Sequence, residues 1–103
     1  MFAIVGETVY APGQWAAGQA QLDEFWALRA AQPGFRGALQ VDEGGGRYLT
    51  LLLWDSQAQW EAAHPLLSAA AARLLAPLRA GPTQPLGAGT VVYDTLTASV
   101  ASA

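Results

Sequence analysis

Three features of the chain predict an α+β domain with the element order β-α-β-β-α-β. Residues 47–59, RYLTLLLWDSQAQ, read as a strand apolar on both faces that runs straight into a capped helix. Two stretches of helical spacing alternate with short apolar runs of period two. Proline and glycine fall at the joints between them, where a chain must turn. The first feature carries most. On one face of that strand lie Tyr48, Thr50, Leu52 and Trp54, and on the other Leu49, Leu51 and Leu53. Alternate side chains of a strand point to opposite sides, so this strand has to be covered twice. A chain of 103 residues can supply helices for one side and hardly for both. The second side calls for a partner, most simply another copy of the chain.

The elements follow in order. Residues 2–10 alternate around Ile4, Val5 and Val9 and form the first strand, which Ala11-Pro12-Gly13 breaks. Over residues 14–32 the period becomes helical, with Leu22, Phe25, Trp26 and Arg29 at i, i+3, i+4 and i+7. Pro33-Gly34 stops that helix. Residues 35–42 are a second strand, and Glu43-Gly44-Gly45-Gly46 is a turn able to supply positive φ angles before the third strand over 47–55. Ser56 and Gln59 form an S-x-x-Q capping box at the start of the second helix. Pro65 is expected to kink that helix or restart it, since proline clashes with the preceding turn and lacks a donor. Leu67, Ala70, Ala71, Leu74 and Leu78 share one face beyond it. Pro77, Gly81, Pro82 and Pro85 make a linker. Residues 89–98, around Val91, Val92, Tyr93 and Leu96, read as the last strand, and 99–103 as a frayed tail. This order is the split βαβ, or ferredoxin-like, arrangement: a four-stranded antiparallel sheet with both helices on one face. The whole chain, 1–103, reads as one domain with its core in 2–98.

Composition narrows the function. Hydrophobic residues make up 52% and charged residues 13%, which is apolar for a free-standing monomer and agrees with a buried interface. Net charge is −3 and the five basic residues are scattered arginines, so nucleic acid is not an expected partner. No apolar run approaches the roughly 20 residues that span a bilayer, so no membrane association is expected. The first residues lack a basic and then a long apolar region, and the cytoplasm is the default location. Without cysteine there is no disulfide framework and no thiol chemistry. A single histidine has no partners at ligand spacing, so no metal site is expected. The three glycines 44–46 join two strands rather than a strand and a helix, which excludes a dinucleotide loop. No G-x-S-x-G elbow is present.

Pro12-Gly13, Phe25-Trp26 in the first helix, Pro33-Gly34-Phe35 with Gly37, and above all Leu52-Leu53-Trp54-Asp55-Ser56 resemble the antibiotic biosynthesis monooxygenase family, within the dimeric α+β barrel superfamily. The resemblance covers roughly residues 2–98 and rests on the order and spacing of short pieces. It implies a homodimer joined sheet face to sheet face, which reaches the doubly apolar third strand by an independent route. Some members are cofactor-independent oxygenases of quinols and polyphenols, some break down haem, and many have no known activity. In the oxygenases the substrate, a small aromatic molecule, sits between sheet and helices. The protein supplies a dry pocket, a proton acceptor and aromatic walls.

The resemblance also directs attention to single residues. Such proteins typically carry an asparagine on the first strand, where this chain has Gly6, Glu7 and Thr8, and a tryptophan on the second helix, which Trp60 matches. His64 lies directly before Pro65 and not further along the helix, where a haem ligand would belong, so haem breakdown is disfavoured. As a residue type, histidine titrates near neutral pH and suits a general base; His64 could equally be a solvent-facing residue at a helix break. Trp60, four residues earlier, shares its helix face, although a tryptophan beside a sheet is more often core. Glu7 is an alternative base if it faces inward and a rim or interface charge if it faces outward. Trp26, with Phe25, and Trp54 are candidate pocket walls that also suit the core. Tyr93 and Tyr48 are candidate hydrogen-bond donors or interface aromatics, and Arg29 could extend over the pocket mouth. The expected function is a cofactor-independent monooxygenase of a small aromatic substrate. The alternative is a non-catalytic dimeric module that binds a small ligand or serves in stress.

Overall fold

A computed structural model of the chain describes residues 1–96. Strand β1 (Phe2–Val9) is followed by a single turn α1 (Gln14–Ala17), helix α2 (Gln19–Ala30), the hairpin β2 (Phe35–Gly44) and β3 (Arg47–Trp54), helix α3 (Gln57–Leu74), a short 3-10 turn (Ala76–Leu78) and strand β4 (Gln84–Thr90). The sheet is antiparallel throughout in the order β2-β3-β1-β4. This is the expected βαββαβ fold, with α2 and α3 packed on one face of the sheet.

The register sorts the side chains. Phe2, Ile4, Gly6 and Thr8 of β1 stand opposite Trp54, Leu52, Thr50 and Tyr48 of β3, and this row faces the helices. Phe2, Tyr48 and Trp54 join Leu22, Phe25, Leu67, Ala70 and Leu74 in the core. Ala3, Val5, Glu7 and Val9 stand opposite Leu53, Leu51, Leu49 and Arg47 on the other face, with Leu39 and Val41 of β2 beside them. Among the described residues no helix covers that second face, and Leu39 and Val41 remain 54% and 49% exposed. The doubly apolar third strand is therefore observed, half covered by helices and half bare.

Four sequence expectations change in detail. The first helix is not continuous over 14–32: Gly18 separates α1 from α2 and ends the first at Gly18 N–H to Gln14 O, 2.8 Å. A β-carbon on Gly18 would lie 2.5 Å from Leu78 Cδ1 and 2.9 Å from the Gln14 carbonyl oxygen, so glycine gives the 3-10 turn room to close over this point. Helix α3 runs unbroken through Pro65 rather than restarting. Ala63 precedes the proline and Leu67, Ala70 and Leu74 follow it, all buried, so packing on both sides outweighs the lost N–H. The capping box is half formed as expected: Ser56 Oγ accepts from the Gln59 N–H at 3.2 Å, but Gln59 Oε1 accepts from the serine hydroxyl at 3.0 Å instead of from the backbone.

The fourth change is the last strand. It lies at Gln84–Thr90 and not at 89–98, inside the stretch that reads as a linker. Pro85 is admitted because β4 is an edge strand that pairs only with β1, and a register shift opens between Val5 and Gly6. Val92, Tyr93 and Leu96 follow it exposed, while residues 97–103 lie outside the described residues.

Candidate functional site

The helix-facing row of the sheet does not fill the space beneath the helices. Between them lies a cleft of about 450 Å³. Its floor is Ile4, Gly6 and Thr8 of β1, Thr50, Leu52 and Trp54 of β3 and Gln40 of β2; its roof comes from Phe25, Trp26 and Arg29 of α2 and Trp60, His64, Leu67 and Ala71 of α3. Arg79 and, just before β4, Pro82 and Thr83 line it as well. Glycine at position 6 keeps the floor low: a β-carbon there would sit 3.3 Å from Thr83 Cγ2.

Of the residues singled out in the sequence, His64, Trp60, Trp26, Trp54 and Arg29 all line this cleft. The spacing of four on α3 brings Trp60 and His64 side by side, ring centroids 5.1 Å apart, with His64 on the solvent side. Trp60 also meets Phe2 at 5.9 Å. Trp54 is fully buried and stacks edge-on against Phe35 at 5.2 Å.

Arg29 does not extend over the mouth. It is 7% exposed, with its guanidinium 5.5 Å from the Phe25 ring centroid and 5.4 Å from that of Phe35. Burial lowers its pKa to about 10, opposed by the Tyr10 hydroxyl, so it remains cationic at neutral pH.

Glu7 and Tyr93 are not part of the site. Period two puts Glu7 on the bare face, where its carboxylate lies 3.8 Å from Arg47, so it cannot serve as the base of this cleft. Tyr93 follows β4 and is 83% exposed, because the last strand ends before it. Tyr48 points toward the helices but stacks on Trp15 at 3.8 Å, outside the cleft lining.

Sequence reading missed Tyr10, Arg79, Thr8 and the Gln40–Thr50 pair. Tyr10 and Thr8 were in phase with Ile4 and Gly6, so the period of two was the available signal. Arg79 sits in a linker stretch where no local pattern marks it. Thr8 Oγ shares a 2.7 Å hydrogen bond with Thr83 Oγ, and Thr50 Oγ donates to Gln40 Oε1 at 2.6 Å. Burial pushes the Tyr10 hydroxyl up, with Arg79 and Arg29 pulling the other way, so it is a hydrogen-bond donor at neutral pH. The chemistry on offer is therefore an aromatic slot with hydroxyl, guanidinium and imidazole groups along its edge. Among the described residues no group of three His, Cys, Asp or Glu side chains is placed to hold a metal ion. Among them, too, no helix is long and apolar enough to cross a membrane.

Neither a comparison with protein-family models nor one with curated proteins finds a match to the sequence. Solved structures do share the fold. A protein of unknown function from Nitrosomonas europaea superposes with a TM-score of 0.74 at 20% identity, over 92% of each chain. SnoaB, a cofactor-independent oxygenase from Streptomyces nogalater, gives a TM-score of 0.73 at 17% identity, over 92% of this chain and 96% of that one. A candidate antibiotic biosynthesis monooxygenase, also from Nitrosomonas europaea, gives 0.73 at 12% identity, over 90% and 100%. The chain thus has, over about nine-tenths of its length, the fold of solved proteins named as antibiotic biosynthesis monooxygenases.

Proposed function

We propose that the chain is a cofactor-independent monooxygenase of a small aromatic substrate, a phenol or quinol, working in the cleft between sheet and helices. The observation that carries this reading is the convergence of Trp26, Trp54, Trp60 and His64 on one 450 Å³ space in a fold shared with such an oxygenase. Tryptophan faces hold a flat ring, and His64 at the solvent side of Trp60 takes the phenolic proton and passes it to water. The phenolate that results is electron-rich enough to reduce O2. One oxygen atom forms a new carbon–oxygen bond at the ring, and the second leaves as water with the hydrogen displaced from that ring carbon and a proton equivalent to the one removed from the hydroxyl. A phenol and O2 become a quinone and water, so no outside reductant enters the balance. The apolar walls keep bulk water from the reactive intermediate. We further propose a homodimer in the cytoplasm, joined through the bare sheet face.

Oxygen uptake on a panel of quinols and polyphenols, with chelator and no added cofactor, tests the reading. Protein-dependent uptake is expected, with about 10²–10⁴-fold loss in His64→Ala, the range of a general base. Trp60→Ala is expected to raise KM as the ring loses its wall. No uptake above background anywhere on the panel would shift the reading to a ligand-binding module without catalysis.

A further inference from the structure

The five arginines divide in a way that bears on the ligand. Arg36, Arg47 and Arg73 each pair with a carboxylate, Asp55, Glu7 and Glu24 respectively, and all three pairs lie outside the cleft. Arg29 and Arg79 have no ion pair among the described residues, and both line the cleft. None of the eight acidic residues lines it. The cleft of a chain with net charge −3 is therefore cationic.

The hydrogen-bond inventory agrees. Three buried side-chain atoms lack a partner among the described residues: Arg29 Nε, Arg79 Nε and Trp54 Nε1. All three are N–H donors, and all three belong to cleft-lining residues. Buried donors without acceptors are uncommon in native proteins and costly, more so when charged. An apolar ring would leave both arginines without an acceptor or a counter-charge. An anionic oxygen group would supply acceptors and charge together.

We propose that the ligand of this cleft is an aromatic carboxylate, its anionic group held by Arg29 and Arg79 and its ring laid toward Trp60. Arg79 pairs with Tyr10 in an isolated antiparallel bridge, and Arg29, Arg79 and Tyr10 all line the same cleft. The planar fork of arginine suits a two-oxygen anion, and the Tyr10 hydroxyl is a third donor. Charge neutralisation inside the cleft also explains why a cation 7% exposed sits among phenylalanine rings without a carboxylate of its own. This rests on the cleft being the ligand site, and not on its oxygenase activity.

Calorimetric titration of the full chain with 1-hydroxy-2-naphthoate and with its methyl ester separates the charge from the ring. The acid is expected to bind about tenfold or more tightly than the ester, the value of a charge-assisted hydrogen bond. That preference should collapse in Arg29→Gln and in Arg79→Gln and be largely kept in Arg29→Lys. Arg79 is only half-buried, so its variant carries the test if Arg29→Gln does not fold. Equal binding of acid and ester, or a preference unchanged in Arg79→Gln, would overturn the proposal while leaving oxygen uptake free to support the oxygenase. Binding of neither probe would overturn it by removing the cleft as a ligand site.

Discussion

Replacing Trp54 by alanine is expected to destabilise the fold by about 3–5 kcal/mol, the usual loss for a large buried aromatic. Trp54 is fully buried at the end of β3, pairs in register with Phe2 and Phe35 on the flanking strands, and stacks against Phe35. Its removal opens a cavity next to one that already exists, so neighbouring side chains gain no new support by relaxing inward. A domain of this size has a total stability of roughly 5–15 kcal/mol, so the loss is a large share of it. Thermal unfolding followed by circular dichroism should show a midpoint lowered by more than about 10 °C. Trp54→Phe should cost less, because it keeps most of the ring and removes an indole N–H that has no partner.

Leu51→Glu is expected to abolish self-association without unfolding the chain. Leu51 lies at the middle of the bare face, opposite Val5 on β1 and Leu39 on β2. A second copy laid on this face would bury the apolar row, and a glutamate at its centre would then be an unpaired buried charge. In the single chain the same side chain meets solvent, so folding is little affected. Light scattering on a size-exclusion column should give twice 10.8 kDa for the unaltered chain and 10.8 kDa for the variant. The circular dichroism of the two should coincide. A monomer before substitution would leave the bare face unexplained by pairing.

Most of the fold was legible because its elements bury side chains in a periodic pattern. β1, β3 and the start of α3 carry strong periods and a cap, and they fall within one or two residues of expectation. The last strand was misplaced because β4 buries none of its side chains; its place comes from backbone pairing to the free edge of β1. Val91, Val92 and Tyr93 offer β-forming side chains, but the edge beside β1 is already taken by Gln84–Thr90. The break at Gly18 was hidden for a different reason, since Leu78, which packs against it, is 60 positions away in the chain.

The site divides along the same line. Trp60 and His64 were readable as neighbours because four residues of helix bring them together. Glu7 was ambiguous only in the choice of face, which the phase of Ile4 and Thr8 settles once the helix side is known. Arg79 was unreadable, because a linker has no period and its approach to Tyr10 depends on how the 3-10 turn packs. Arg29 was visible but misjudged: an arginine ending an apolar stripe is usually solvated, and here it is drawn in between two phenylalanines.

The central claim, that O2 reacts with a bound aromatic in this cleft without a cofactor, is tested most directly by isotope. The chain is incubated under 18O2, with chelator, with the phenol or quinol that gives the fastest protein-dependent uptake, and the product is weighed by mass spectrometry. The account predicts one 18O atom in the product and none from labelled water, with the yield of labelled product falling sharply in His64→Ala and, at low substrate, in Trp60→Ala. An unlabelled product accompanied by hydrogen peroxide, or a yield of labelled product unaffected by those substitutions, would contradict it.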